Sequence, residues 1–323
     1  MTEVRENVVS FTKPKGGTEI LKQHLVQQLN QKDLKDINIV GSICHPDLVV
    51  KDKINIVWQH LSYDQPNVQY MSDRRYVDSV DFFVFVSHWQ YSRFREKFNI
   101  PEYKCFVIKN ATHPFTEERI NAAGRIKLIY TSTPWRGLSV LTKAVENLNK
   151  VRDDFTVDVY SSTKIYGDKF AEMEKGKYEP LYERIKNTPN MNYKEFAPNE
   201  TIRQKLLQSD IFSYPSIFEE TSCLSAIEAM AAGCYVVTTN YGALPETCAD
   251  FATMIEYEPN ALGLAERYSN VLNAVMNEYK EGKLKETIEL QRKYYNKYYS
   301  WETRISEWRN FLNYARAIKK RNA

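Results

Sequence analysis

The fold of this chain is decided by residues 214–233, which read YPSIFEETSCLSAIEAMAAG. The apolar run from Ile211 to Tyr214 predicts a buried strand that ends at Pro215. A short polar loop follows, and then a helix-forming run that Gly233 closes. A strand, a loop and a helix in this order are typical of an open α/β sheet, which binds its ligands in the crevice at the carboxyl ends of the strands.

Two carboxylates stand in this stretch, Glu220 and Glu228, with seven residues between them. On one unbroken helix that spacing would put them about 80° apart around the axis and roughly 12 Å apart along it, too far to share a small ligand. A loop that folds back over the helix start would instead turn both toward one crevice. A structural alternative is a capping box, in which Ser225 caps the helix and Glu228 reaches back to its amide.

The composition is that of a globular protein with two domains. The chain has 323 residues, of which 43% are hydrophobic and 26% are charged, and this length suits two cores of ordinary size. No apolar run reaches the roughly 18 residues of a membrane span, and the N-terminus lacks the apolar segment of a signal peptide. The five cysteines are odd in number and lack metal-ligand spacing, so we expect buried thiols in a cytoplasmic protein.

The charge balance bears on the partners. The net charge is +3 and the basic residues are dispersed, so no nucleic-acid partner is expected. Tyrosines cluster near the C-terminus at Tyr294, Tyr295, Tyr298 and Tyr299. Because tyrosine suits both helix packing and a membrane interface, a peripheral membrane contact stays open beside the packing interpretation.

Strand and helix patterns alternate along the whole chain, which predicts two parallel-sheet α/β domains. The break at Pro114 and the polar segment after it place the first domain at 1–118 and the second at 119–300, with a final helix over 301–323. That helix carries an amphipathic stripe. The predicted strands are 37–40, 54–58, 81–86, 105–108, 127–132, 156–162, 211–214 and 234–239.

The stretch 214–233 resembles the Glu-x7-Glu signature of the retaining glycosyltransferases of family four, which have the two-domain GT-B fold. Glu220 and Glu228 stand at the two glutamate positions. The resemblance implies that Glu220 faces the transferred sugar and that Glu228 binds the ribose hydroxyls of the donor. Glu219 is a rival for the first role, but only Glu220 keeps the spacing. The loop whose amides would contact phosphate and sugar comprises Thr221, Ser222, Cys223 and Leu224.

Three further features are similar to this family. Gly16 and Gly17 open a helix near the start of the chain, where free amides attract phosphate, and the family has a similar glycine pair there. Arg136 precedes a glycine after the first strand of the second domain, which implies that it neutralises the donor diphosphate. Lys164 would supply a second charge, although a surface lysine is the alternative. His60 follows a first-domain strand, in the crevice where the family often has a histidine.

The resemblance therefore predicts transfer of a sugar from a nucleotide-diphosphate sugar to an acceptor hydroxyl with retention of configuration. Glu220, Arg136 and His60 are the predicted catalytic residues. The acceptor would be a glycan, a lipid-linked sugar or a small molecule. No metal and no cofactor besides the donor are expected, because the sequence has no Asp-x-Asp motif. In the family the last helix crosses back to the first domain. A nucleotide-sugar epimerase of the same fold and a non-catalytic nucleotide-sugar or glycan-binding protein remain as alternatives.

Overall fold

The computed structural model of the protein describes residues 17–120 and 124–321. Gly16, which was predicted to contact the donor, lies outside the described residues. The described residues form two parallel sheets with helices on both faces, which confirms the predicted pair of α/β domains.

The first domain contains a sheet of four described strands in the order β1-β2-β3-β4, all parallel. Strand β3 is buried along its whole length, as expected for a parallel sheet covered on both faces. The elements are α1 Gly17–Gln28, α2 Gln31–Leu34, β1 Ile37–Gly41, β2 Ile54–Gln59, α3 Arg74–Ser79, β3 Phe82–Phe85, α4 His88–Phe98 and β4 Cys105–Val107.

The second domain contains a parallel sheet in the order β10-β9-β8-β5-β6-β7. The elements are β5 Ile126–Thr131, α5 Leu138–Leu148, β6 Phe155–Tyr160, α6 Asp168–Met173, α7 Glu179–Asn187, β7 Met191–Tyr193, α8 Asn199–Leu206, β8 Ile211–Tyr214, α9 Leu224–Ala232, β9 Tyr235–Thr239, α10 Leu244–Cys248, β10 Ala252–Ile255, α11 Ala261–Lys280 and α12 Lys285–Tyr298. The chain runs outward from β5 to β7 and then restarts at β8 on the other side of β5. The switch point between β5 and β8 is where a sheet of this kind binds its ligand.

Short 3-10 turns connect several of these elements. They are Pro46–Leu48, Pro66–Ser72, Glu102–Lys104, Pro134–Arg136, Thr163–Tyr166 and Ala249–Phe251.

The last helix, α13 (Trp301–Arg321), packs on the first domain. The rings of Trp308 and Trp58 lie 5.2 Å apart, edge to face, and Phe311 packs against Phe82 on β3. The apolar stripe of this helix thus completes the core of the first domain, as the resemblance implied.

The chain crosses between the domains twice, and the two crossings touch. The Thr112 amide donates to the Tyr299 carbonyl at 2.8 Å, and Thr112 forms an isolated parallel bridge with Ser300. The segment after β4 and the junction between α12 and α13 therefore run side by side.

Two glycines hold the loops at the switch point in close contact. A Cβ atom on Gly137, which has φ +116°, would lie 2.0 Å from the Pro215 carbonyl oxygen. A Cβ atom on Gly242, with φ +64°, would lie 2.6 Å from both the amide nitrogen and the carbonyl oxygen of Glu220. Only glycine combines this backbone conformation with such close approach, so both positions fix the path of the chain around Glu220.

Candidate active site

A crevice of about 450 Å³ lies at the carboxyl edge of the second sheet. The loops that follow β5, β6 and β7, at residues 131–133, 160–162 and 195–200, form one wall together with the start of α9. Helix α1 and the crossing segment of the first domain form the other wall, through residues such as Gly17, His24 and Thr112. Both domains therefore contribute to a single concave surface at the topological switch point.

Glu228 lines this crevice from the second turn of α9. Its carboxylate lies 3.3 Å from the Asn199 side-chain nitrogen Nδ2 and 3.4 Å from the Thr112 hydroxyl. The Nη1 atom of Arg203 lies 3.6 Å from the same carboxylate. Burial raises the pKa of Glu228, while Arg203 and the two hydrogen-bond donors oppose the rise. A half-buried carboxylate with polar neighbours in a crevice is suited to accept hydrogen bonds from vicinal hydroxyls.

The capping box around Glu228 is not formed. Helix α9 begins at Leu224 with Cys223 at the N-cap position, so Ser225 lies inside the helix. The Ser225 hydroxyl donates to the Thr131 carbonyl at 2.9 Å and thereby ties α9 to the end of β5. Glu228 is consequently turned toward the crevice and away from the helix start.

Glu220 is buried beside the switch point, with 4% of its surface exposed. One of its oxygens accepts hydrogen bonds from Arg136 at 2.7 Å and from the Tyr214 hydroxyl at 2.6 Å. The Arg136 guanidinium also lies 4.3 Å from the centre of the Phe218 ring. The predicted carboxylate and the predicted cation thus form one ion pair between the loops after β5 and β8.

The rival carboxylate, Glu219, lies beside charged residues of the first domain. Its pKa is raised by burial and by the nearby Asp64 carboxylate of the first domain, while Arg93 lowers it. Glu219 therefore lies at the domain interface, whereas Glu220 pairs with Arg136.

The loop after Glu220 connects the two domains. The Thr221 hydroxyl donates to the His60 carbonyl at 2.9 Å, and the Ser222 carbonyl lies 3.4 Å from the Asn110 amide nitrogen. Cys223 is part of the core of the second domain, and burial raises the pKa of its thiol. Leu224 lines the crevice, where a Cβ atom on Gly17 would lie 2.7 Å from its side chain. The starts of α1 and α9 therefore meet at the crevice.

Arg203 is a crevice residue that the sequence analysis missed. Its guanidinium stacks 3.7 Å from the centre of the Phe115 ring and donates to the His113 carbonyl at 2.9 Å. It follows Asn199 by four residues, so the two share one face of α8. That spacing was the available signal, but their contact with Glu228 depends on the packing of α8 against α9.

Two histidines of the crevice were also not predicted to lie there. His24 on α1 and His113 in the crossing segment have ring centres 4.5 Å apart. Burial and the neighbouring His113 lower the pKa of His24 to about 4. The His24 ring is consequently neutral at pH 7, and burial together with the nearby Arg203 lowers the pKa of His113 as well.

The sequence model of the glycosyl transferases group 1 matches residues 127–289, which is half of the chain and contains Arg136, Glu220 and Glu228. The chain belongs to this family. No curated protein matches the sequence. In structure the chain is similar to a glycosyltransferase from Rickettsia africae ESF-5, with a TM-score of 0.67 and 18% identity over 97% of this chain and 84% of that one.

Two further solved structures are similar to this group 1 glycosyltransferase. The pneumococcal O-GlcNAc transferase GtfA has a TM-score of 0.65 and 15% identity, over 93% of this chain and 60% of that one. Anabaena Alr3699/HepE has a TM-score of 0.66 and 14% identity, over 81% of this chain and 72% of that one. At such identities the likeness shows the fold alone, and that fold is GT-B.

Several predicted residues of the glycosyltransferase do not line the crevice, namely Arg136, Glu220, Thr221, Ser222, Cys223, His60 and Lys164. His60 contacts the Trp58 ring at 4.5 Å, and burial lowers its pKa to about 3. Its buried Nε2 has no hydrogen-bond partner among the described residues. Lys164 is exposed and lines an adjoining pocket of about 280 Å³ rather than the crevice. Among the described residues, Arg203 is a cation that does line the crevice wall.

Within residues 17–120 and 124–321, no group of three or more His, Cys, Asp or Glu side chains could hold a metal ion. Over the same part of the glycosyltransferase, none of the helices is long and apolar enough to span a bilayer.

Proposed function

We propose that this glycosyltransferase moves a hexose from a uridine-diphosphate sugar to an acceptor hydroxyl with retention of anomeric configuration. The observation that carries the proposal is the crevice itself, in which Glu228 of the second domain faces α1 of the first. The choice of uridine is supported by two similar proteins, because the pneumococcal transferase was solved with UDP and GlcNAc and Alr3699/HepE with UDP-glucose.

The residues take their roles from their places along the sheet edge. The Glu228 carboxylate would accept hydrogen bonds from the two ribose hydroxyls. Arg136, at the end of the loop after β5, would stabilise the departing diphosphate, since a fixed cation there acts where negative charge develops. The Glu220 carboxylate would accept a hydrogen bond from a hydroxyl of the transferred sugar. Because Glu220 already holds Arg136 at 2.7 Å, it also fixes the guanidinium before the donor arrives.

Retention follows if attack and departure occur on the same face of the sugar. The bond between C1 and the β-phosphate oxygen breaks, the bond between C1 and the acceptor oxygen forms, and the acceptor proton passes to the departing phosphate. This route needs no protein nucleophile and depends on orientation and on charge stabilisation. Since the pKa of His60 is lowered to about 3, this residue would act as a neutral hydrogen-bonding group.

The acceptor would bind on the side of the first domain, as a glycan, a lipid-linked sugar or a small molecule. A peripheral membrane contact and a cytoplasmic location belong to the same proposal.

The test is to incubate the protein with UDP-glucose, UDP-GlcNAc, GDP-mannose and ADP-glucose and a panel of sugar acceptors. Released nucleotide is measured, and the anomeric configuration of the product is assigned by NMR. We expect UDP release with one of the UDP-sugars and a product with the donor's configuration. An inverted product would refute retention, and release of the sugar's epimer without acceptor would favour the epimerase alternative.

A further inference from the structure

Arg203 lies beside Glu228 on the crevice wall, although it takes no part in the chemistry proposed above. Its Nη1 atom lies 3.6 Å from the Glu228 carboxylate and 3.2 Å from the Thr112 hydroxyl. The side chains of Arg203 and Glu228 are only 18% and 15% exposed. Because solvent screens such a pair poorly, the cation acts strongly on the carboxylate.

The segment that crosses between the domains fixes the guanidinium of Arg203. Its Nη2 atom donates to the His113 carbonyl at 2.9 Å and lies 3.3 Å from the Pro114 carbonyl. Its Cζ atom lies 3.7 Å from the centre of the Phe115 ring. A planar guanidinium that is held by carbonyls on one edge and by a ring on its face has a fixed direction, so its other edge is presented to Glu228.

Glu228 keeps hydrogen-bonding capacity in spite of its neighbours. Among the described residues, its oxygens lie 3.3 Å and 3.4 Å from Asn199 Nδ2 and 3.4 Å from the Thr112 hydroxyl. Charge-assisted N–H···O hydrogen bonds are shorter, at about 2.7–2.9 Å. Arg203 therefore supplies charge at 3.6 Å without saturating the carboxylate, and ligand hydroxyls can still bind it.

The charges around Glu228 distinguish Arg203 from the other groups in the crevice. Burial raises the pKa of Glu228, and Arg203 opposes that rise more strongly than either hydrogen-bond donor. The other titratable side chains described on the crevice wall are His24 on α1, His113 in the crossing segment, Tyr160 at the end of β6, Glu195 after β7 and Glu200 on α8. Burial lowers the pKa of both histidines and raises that of the tyrosine, and glutamates carry negative charge, so none of these groups favours an ionised Glu228.

We infer that Arg203 is a positioning residue, which holds the Glu228 carboxylate ionised and oriented for the two ribose hydroxyls of the donor. Arg203 acts through Glu228 and needs no contact with the donor for this role. Its removal should therefore change ribose recognition and the pH dependence of binding. This inference rests on the proposed function, because it requires a nucleotide whose ribose meets Glu228.

The test is calorimetric binding of UDP and 2′-deoxy-UDP over a pH series to wild type, Arg203→Met and Arg203→Lys. For Arg203→Met we expect UDP binding at neutral pH to weaken roughly 5- to 100-fold and the ratio between UDP and 2′-deoxy-UDP to narrow. The fall in affinity on acidification should begin at a higher pH than in wild type, because the pKa of Glu228 rises when the opposing cation is removed. Arg203→Lys keeps the charge and should restore most of the wild-type pH profile.

Two controls separate this role from a general loss of charge or structure. Lys205→Met removes a cation from the last turn of the same helix and should bind UDP as wild type does. Thermal unfolding of the ligand-free proteins shows whether each variant is folded. If Arg203→Met melts below the assay temperature, Arg203→Gln, which keeps an amide for the carbonyls of the crossing segment, takes its place with the same expectations.

Uridine distinguishes action through Glu228 from a direct contact with the donor phosphates. If Arg203 acts through Glu228, Arg203→Met should weaken uridine, measured by competition with UDP, by the same factor as UDP. A loss confined to UDP would overturn the inference. In the Glu228→Gln background the same change should add little further loss of affinity, and fully additive losses would also overturn it.

The outcomes for wild type separate the two proposals. If wild type binds neither UDP nor uridine, the proposed function fails together with the inference. If wild type binds UDP and the Arg203 variants match it in affinity, in the ratio between UDP and 2′-deoxy-UDP and in pH profile, only the inference fails.

Discussion

The ion pair between Arg136 and Glu220 should couple the loops after β5 and β8 energetically. At 2.7 Å and an effective dielectric constant of about 20, two unit charges attract by roughly 6 kcal/mol. Removing water from a buried carboxylate and a half-buried guanidinium offsets much of this, so we expect a coupling of about 2–4 kcal/mol. For a domain of this size, the loss corresponds to a fall in Tm of roughly 5–15 °C.

The assay is a double-mutant cycle with Arg136→Met, Glu220→Gln and the double variant, each followed by chemical and thermal unfolding. Arg136→Met should be the most damaging single change, because it leaves a buried carboxylate without its charge partner. The double variant should be more stable than the sum of the single effects predicts. The cycle isolates the pair from any other contact that Arg136 makes.

A control pair lies on the surface of the same domain. Arg184 and Glu146 approach to 2.6 Å, but their side chains are 43% and 29% exposed, so the matching cycle with Arg184→Met and Glu146→Gln should give less than about 1 kcal/mol. If the coupling of the buried pair is no larger than that of the surface pair, Glu220 does not hold Arg136 in place and the reasoning is refuted.

Three further predictions concern the crevice and the domain interface. Glu228→Gln should weaken UDP binding in calorimetry by about ten- to a hundredfold, whereas Glu200→Gln on the same crevice wall should leave it unchanged. Because burial raises the Glu228 pKa, the affinity of wild type for UDP should fall as the pH drops through that raised pKa, and the Glu228 variant should lose this pH dependence. Gly242→Ala should lower the free energy of unfolding by at least about 2 kcal/mol and abolish turnover, since its Cβ would lie 2.6 Å from the Glu220 backbone at a positive φ. A thermal melting curve equal to that of wild type would contradict this. Glu246→Gln should lower the free energy of unfolding in urea by about 1–2 kcal/mol, because its carboxylate accepts hydrogen bonds at 3.0 Å from the first two backbone amides of α4. An unchanged free energy of unfolding would show that this contact between the domains is weak.

Local patterns predicted the fold because each strand of a parallel sheet is a short apolar run with turn residues at its ends. The run 81–86 became β3, Phe82–Phe85, and the run 54–58 became β2, Ile54–Gln59. The final helix was recognised from its apolar stripe, which needs a partner surface, while the family resemblance implied that this surface belongs to the first domain. These features depend on neighbours in sequence, which a pattern records.

The candidate site was harder to predict because its contacts join distant segments. The spacing of Glu220 and Glu228 indicated one crevice, but only the tertiary structure shows that Glu220 is held by Arg136 while Glu228 lines the wall. Lys164 and Arg203 illustrate the limit. Both are basic residues in segments that connect strands, and their sequence surroundings do not say that one is exposed and that the other stacks on a phenylalanine ring at 3.7 Å.

The paired crossings at Thr112 and Ser300 constrain how the two domains can move. Because the two covalent connections run side by side, we expect them to act as a single hinge, with opening and closing as rotations about a line near this bridge. The Thr112 hydroxyl lies 3.4 Å from the Glu228 carboxylate, which places the pivot against the floor of the crevice. A ligand group that binds Glu228 therefore lies close to the hinge axis. A small rotation of the domains there would displace the outer edges of the cleft by a much larger distance.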